Sequence, residues 1–141
     1  MFKRIAYVSR AVEGLGDASI YDIIRTAHNR NGASGLTGAL LVMDGHFIQV
    51  LEGDGYRVRE CFRAIQADRR HTDVDLRHEE VTRSLLFPDE WMVLRHGSEI
   101  PAELKVAFGY QPGLPRGQFP GAHLVGFVLA CCRHGTALQT A

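Results

Sequence analysis

Residues 46–53, His46-Phe47-Ile48-Gln49-Val50-Leu51-Glu52-Gly53, leave the chain little choice of fold, because they form a β-strand apolar on both faces with one amide set inside it. Phe47 and Leu51 fall on one face, and Ile48 and Val50 on the other. Neither face can meet water, so layers of chain must cover both sides of the sheet. Gln49 then lies in the interior, where an unpaired amide costs about 1–3 kcal/mol. Backbone, ordered water, a polar neighbour such as Tyr7 or a polar ligand must meet it.

The rest of the chain can be arranged around this strand. Ile5, Tyr7 and Ser9 alternate with Ala6 and Val8, giving a first strand that ends in the loop of Gly14 and Gly16. Asp17 or Ser19 can cap a helix whose apolar stripe is Ile20, Ile23, Ile24 and Ala27, with Asn31-Gly32 as its stop. Residues 35–43 read as a second strand, joined to the Gln49 strand by Asp44-Gly45, the signal for a type I′ turn. Val58, Cys61, Phe62 and Ile65 mark a second helix ending near Asp68-Arg69-Arg70-His71. Val74 to Thr82 alternates apolar and charged residues, as an exposed strand does, and Trp91 to Leu94 gives a last short strand.

The order βαββαββ predicts an α+β, ferredoxin-like sheet with both crossover helices on one face. The other face must be covered by the chain from Pro101 onward, which Pro112, Pro115 and Pro120 divide into an irregular segment and one terminal helix. Residues 1–97 are expected to form the ligand-binding domain. Residues 98–141 are expected to form a partly helical extension, packed on the sheet or at an oligomer interface.

At 141 residues the chain suffices for one domain with a real core, and its 16 basic and 16 acidic residues cancel. No net field draws it to nucleic acid or to anionic membrane. The N-terminus carries no apolar leader, and Ala122 to Cys132 is too short to span a bilayer. Cys61, Cys131 and Cys132 are odd in number and lack metal-ligand spacing, so reduced thiols, a cytoplasmic location and no metal are expected.

In this topology the first and third strands are neighbours, so Tyr7 and Gln49 can point to the face that the helices cover. Asn31, at the end of the first helix, can reach the same space, roofed by Ile24, Phe47 and Phe62. From the residues alone this is either a structural Tyr–Gln pair or the lining of a ligand pocket. Asp68-Arg69-Arg70-His71 is likewise either a solvated helix end or a charged pocket rim.

Several pieces, taken in order, resemble one family. They are Tyr7-x-Ser9-Arg10, Asn31 before Gly35-Leu36-Thr37-Gly38, His46-Phe47-x-Gln49-x-Leu51-Glu52-Gly53, Asp68-Arg69-Arg70-His71, and Arg83 to Met92 with Phe87-Pro88. Together they resemble the BLUF family, blue-light sensors using FAD. The resemblance implies non-covalent FAD binding between the two helices, with Tyr7 as photoactive tyrosine and Gln49 as the amide between it and the flavin. It further implies that Asn31 binds the flavin carbonyl edge, that Met92 contacts the glutamine, and that Arg70 with Asp68 or His71 meets the ribityl and phosphate portion. The family usually has Trp, one residue, then Met; here Trp91 and Met92 are adjacent. Met92 keeps its spacing from Phe87 and is assigned to the pocket, and Trp91 to packing against the tail.

The implied function is a photoreceptor, not an enzyme, that signals to a protein partner or its own oligomer, with Leu124, Val125, Phe127 and Leu129 as a candidate self-association surface. The alternative is a ferredoxin-like interaction module without a light response. An acylphosphatase-like enzyme needs a phosphate-cradling loop after the first strand, and Ser9-Arg10-Ala11-Val12-Glu13-Gly14 is a poor one.

Overall fold

The computed structural model describes residues 1–12, 14, 16, 22, 23, 26, 29, 35–90 and 92–140, the side chains of 134–140 excepted. Strands β1 (Phe2–Ala11), β2 (Thr37–Met43) and β3 (His46–Gly53) are followed by helix α1 (Gly55–Ala67), β4 (His71–Thr82) and β5 (Val93–His96). A 3₁₀ turn (Gly97–Glu99), a short helix α2 (Ala102–Phe108) and a long helix α3 (Gly121–Thr140) complete the order. Of the predicted first crossover helix, Asp22, Ile23, Thr26 and Asn29 are described and helical, with Thr26 Oγ1 donating to the Asp22 carbonyl at 2.7 Å. Ile24, Asn31 and Trp91 lie outside the described residues.

The five described strands form one mixed sheet in the order β4-β1-β3-β2-β5. Only the β2–β5 pairing is parallel. The hairpin is built as its turn residues dictate: Asp44 and Gly45 both take positive φ, 48° and 75°, and set Met43 opposite His46. From that register the β3 run is apolar on both faces because both are covered. Ile5, Tyr7, Leu51 and Leu36 pack with Val58, Cys61 and Ile65 of α1. On the opposite face Ala6, Val8, Leu41, Ile48 and Val50 pack with Leu114, Phe119, Leu124, Phe127 and Val128. This is the α+β sheet expected from the sequence, with residues of the tail on its second face.

Helix α1 starts where Asp54 accepts from the Arg57 backbone nitrogen at 3.1 Å, and it buries Val58, Cys61 and Ile65 at helical spacing. Three details differ from expectation. Strand β4 begins at His71, three residues early, because His71 and Thr72 pair with Ala11 and Arg10 before a register shift around Asp73, whose φ is 53°. Strand β5 is Val93–His96 and takes in polar Arg95 and His96, which an edge strand tolerates; Arg95 Nη2 donates to the Cys132 carbonyl at 3.2 Å. The tail holds α2 besides the terminal helix, bounded by Pro101 and by Gly109 in the left-handed region.

Leu124, Val125 and Phe127 are buried against this chain's own sheet and Leu129 is partly buried there, so they do not form a free self-association surface. Cys61, Cys131 and Cys132 are buried thiols outside any disulfide, and burial pushes those of Cys131 and Cys132 up to about 12. Among the described residues no helix is long and apolar enough to cross a membrane.

Candidate functional site

Tyr7 and Gln49 are direct register partners on the central strands β1 and β3. Adjacent antiparallel strands bring opposed side chains together on one face, so alternation places both on the side that α1 covers. Each is 3% exposed. The phenol Oη–H of Tyr7 donates to Gln49 Oε1, and Gln49 Nε2 donates to Met92 Sδ at 3.7 Å. The buried amide thus holds its acceptor end toward a strong donor and its donor end toward a weak sulfur acceptor. These bonds hold one of the two orientations open to the amide, and the weaker contact leaves the other within reach.

A cleft of about 410 Å³, counting space open to solvent, lies over this pair. Tyr7, Leu40, Phe47 and Gln49 line it from the sheet, Ile23 and Thr26 from the first crossover helix, and Ile65, Asp68, Arg70 and His71 from α1 and the turn beyond it. Among the described lining residues the walls are mainly apolar, the buried polar groups are few and charge lies at residues 68–71, a pattern that suits a largely apolar ligand with a polar edge.

The charged turn is itself ordered. Asp68 Oδ1 accepts from Arg70 N and Nε, both at 3.0 Å, and Oδ2 accepts from Nη2 at 2.6 Å. The guanidinium fork holds the Asp68 carboxyl at about 2, below the usual carboxylate range, and the carboxylate in turn raises Arg70. The turn is thus held by its own ion pair, with both side chains partly exposed. His71 is held by both ring nitrogens, to Ser9 Oγ and to the Ile65 carbonyl.

Of the residues proposed from the sequence, Tyr7, Phe47, Gln49, Asp68, Arg70 and His71 converge on the cleft. Met92 reaches it through Gln49. Phe62 is not on the lining; it packs behind the tyrosine, with ring centroids 5.7 Å apart. The roles given to Asn31 and Ile24 fall outside the described residues. Sequence reasoning missed Leu40, Ile65, Ile23 and Thr26 as lining. Leu40 was reachable by counting back through the Asp44-Gly45 turn, which sets it opposite Gln49.

Comparison with known proteins agrees with this geometry. The family model described as sensors of blue light using FAD matches residues 2–93. A photoactivated adenylate cyclase subunit beta of Euglena gracilis is 34% identical over 98 residues, 70% of this chain, which spans about 11% of that relative's length. Among solved structures, BlrB, a BLUF protein in its dark state, aligns over 92% of this chain and 96% of its own with a TM-score of 0.72 and 31% identity. The photo-activated state of BlsA shares the fold, with a TM-score of 0.81 at 23% identity, over 94% of this chain and 95% of its own.

Proposed function

The chain belongs to the BLUF family of sensors of blue light using FAD, and from that premise we propose that Tyr7 and Gln49 are its switching pair and the cleft above them its flavin site. The protein is a blue-light photoreceptor with FAD as its cofactor. The observation that carries the residue assignment is the buried Tyr7–Gln49 hydrogen bond at the cleft.

The cleft fits the group. Leu40, Phe47 and Ile65 offer apolar walls, the Gln49 amide a buried hydrogen-bonding edge, and Arg70 a cation for a phosphate. Asn31 and His71 complete the proposed holding set. When bound, flavin supplies absorption of blue light and a strongly oxidising excited state. Having given up an electron to that state, Tyr7 would pass its proton from Oη along the hydrogen bond to Gln49 Oε1, and electron and proton would both return to it afterwards. Gln49 carries donor and acceptor on one short pivot, so it can come to rest rotated, with Nε2 donating to Tyr7 Oη and its bond to Met92 Sδ given up, or tautomerised. The signal can be no larger than the difference in energy between those two sets of bonds.

Met92 leads directly into β5, which lies against β2 and reaches α3 through Arg95. We assign output to this side of the sheet, through contact with a protein partner or a second copy of the chain, and we assign residues 98–141 to an integral cover of the second face. Neither nucleic acid nor membrane is a partner in this reading, which the balanced charge supports. Three buried cysteines held as thiols, outside any disulfide, support a cytoplasmic setting. Cyclase activity belongs to the relatives' own chains and is not carried over here.

The test is the visible spectrum of purified protein in the dark and just after blue illumination, with the released cofactor identified. Bound FAD with a small, reversible red shift is expected. A bound flavin with no shift would contradict the switching role of the pair.

A further inference from the structure

Ser9 lies two residues beyond Tyr7 on the same face of β1 and is 1% exposed, yet nothing in the proposed switch uses it. Its Oγ is 2.7 Å from His71 Nδ1, and Nε2 of the same ring is 2.7 Å from the Ile65 carbonyl oxygen. A carbonyl only accepts, so Nε2 carries a hydrogen. In the neutral ring Nδ1 is then the acceptor and Ser9 Oγ–H its donor. One bond from β1 and one to the last turn of α1 fix both the tautomer and the plane of the imidazole.

That imidazole lines the cleft. It stands edge to face against Tyr7, with centroids 6.3 Å apart and planes at 69°, and against Phe47, at 5.9 Å and 80°. The Tyr7 ring meets both His71 and Phe62, so the direction of its hydroxyl depends on how those two rings are held. Loss of the Ser9 donor removes the partner of Nδ1 in a half-buried ring. The ring then tilts or changes tautomer, giving up the Ile65 bond.

From this geometry we infer that Ser9 is a positioning residue of the photoswitch: acting through His71, it holds the imidazole against Tyr7 and so sets the alignment of the Tyr7–Gln49 hydrogen bond. The inference rests on the reading of Tyr7 and Gln49 as the switching pair.

The test uses the full chain labelled with ¹⁵N-histidine, with the His71 signals identified by their loss in His71→Phe, and the dark-recovery rate after blue light. In the wild type the ring is expected as the Nε2–H tautomer with Nδ1 at the shift of a hydrogen-bonded acceptor. Ser9→Ala is expected to lose that acceptor shift, to keep flavin and the red shift, and to change the recovery rate about threefold to tenfold, the range that one neutral hydrogen bond represents. In the His71→Phe background, brought to the same flavin occupancy with excess FAD, Ser9→Ala is expected to change the recovery rate no further. If Ser9→Ala fails to fold, Ser9→Cys keeps the volume with a weaker donor, and a smaller change of the same sign is expected. A doubly protonated or Nδ1–H ring in the wild type, an unchanged recovery rate, or an equal Ser9 effect without His71 would each overturn the inference. A wild type that binds flavin but shows no light shift would instead overturn the underlying reading, and that result is seen before any variant is made.

Discussion

Arg4 on β1 and Glu52 on β3 stand opposite each other and are joined Nε to Oε2 at 2.6 Å, with Glu52 wholly buried. The same carboxylate accepts from the backbone nitrogens of Leu86, at 2.9 Å, and Phe87, at 2.8 Å. It therefore fastens the segment leading to Met92 onto the strand that carries Gln49. Removing one partner strands the other charge in the interior, at about 3–5 kcal/mol. Arg4→Met is expected to lower the unfolding free energy by that order in a urea titration. A loss below about 1 kcal/mol would contradict the role given to the pair.

Gly38 sits on β2 with φ at 157°, and a Cβ there would fall 1.9 Å from the Val50 carbonyl oxygen. That oxygen belongs to the central strand and cannot move aside without breaking the ladder. Gly38→Ala is expected to leave little folded protein, measured as the yield of monodisperse material and its far-ultraviolet circular dichroism. Native yield and spectrum would show that the two strands are more loosely apposed than described.

Much of this was legible in the sequence, for identifiable reasons. Asp44-Gly45 fixes a hairpin register, and two-faced apolarity at 47–51 demands two covering layers, so Tyr7 and Gln49 could be placed on one face from the chain alone. The extent of β4 was not legible, because His71 joins the sheet through a register shift around Asp73 that no alternation pattern reveals. Helix α2 was hidden by its seven-residue length and its lack of any buried residue. The ion-pair geometry of Asp68 and Arg70 and the clamp on His71 depend on how a turn folds back, which residue types alone do not specify.

Asp68 gives the fold a sign-definite pH dependence. Arg70 lowers its carboxyl from 3.8 to about 2, so the folded state binds the proton more weakly than the unfolded chain does. The stabilisation is full above the unfolded value and is lost as pH falls from about 5 toward 2. Allowing for solvent screening, it amounts to about 1 kcal/mol. Asp68→Asn is expected to reduce the loss of unfolding free energy between pH 6 and pH 2.5 by about that amount. An identical pH profile in wild type and variant would rule the ion pair out as its source.

Met92 offers Gln49 Nε2 a sulfur acceptor at 3.7 Å. Met92→Leu keeps the volume, so stability should change by less than about 1.5 kcal/mol. It removes the bond that favours the present amide orientation, so flavin binding and the light shift should persist while the dark-recovery rate changes. Recovery kinetics indistinguishable from wild type would remove Met92 from the switch.

Everything proposed for the switch passes through one amide, and Gln49→Leu removes it at similar volume. The decisive measurement is the light-minus-dark visible absorption spectrum of Gln49→Leu beside that of the wild type, each at known flavin occupancy. The account predicts bound flavin in both, a reversible red shift in the wild type and none in the variant. A wild-type red shift surviving in Gln49→Leu would contradict it.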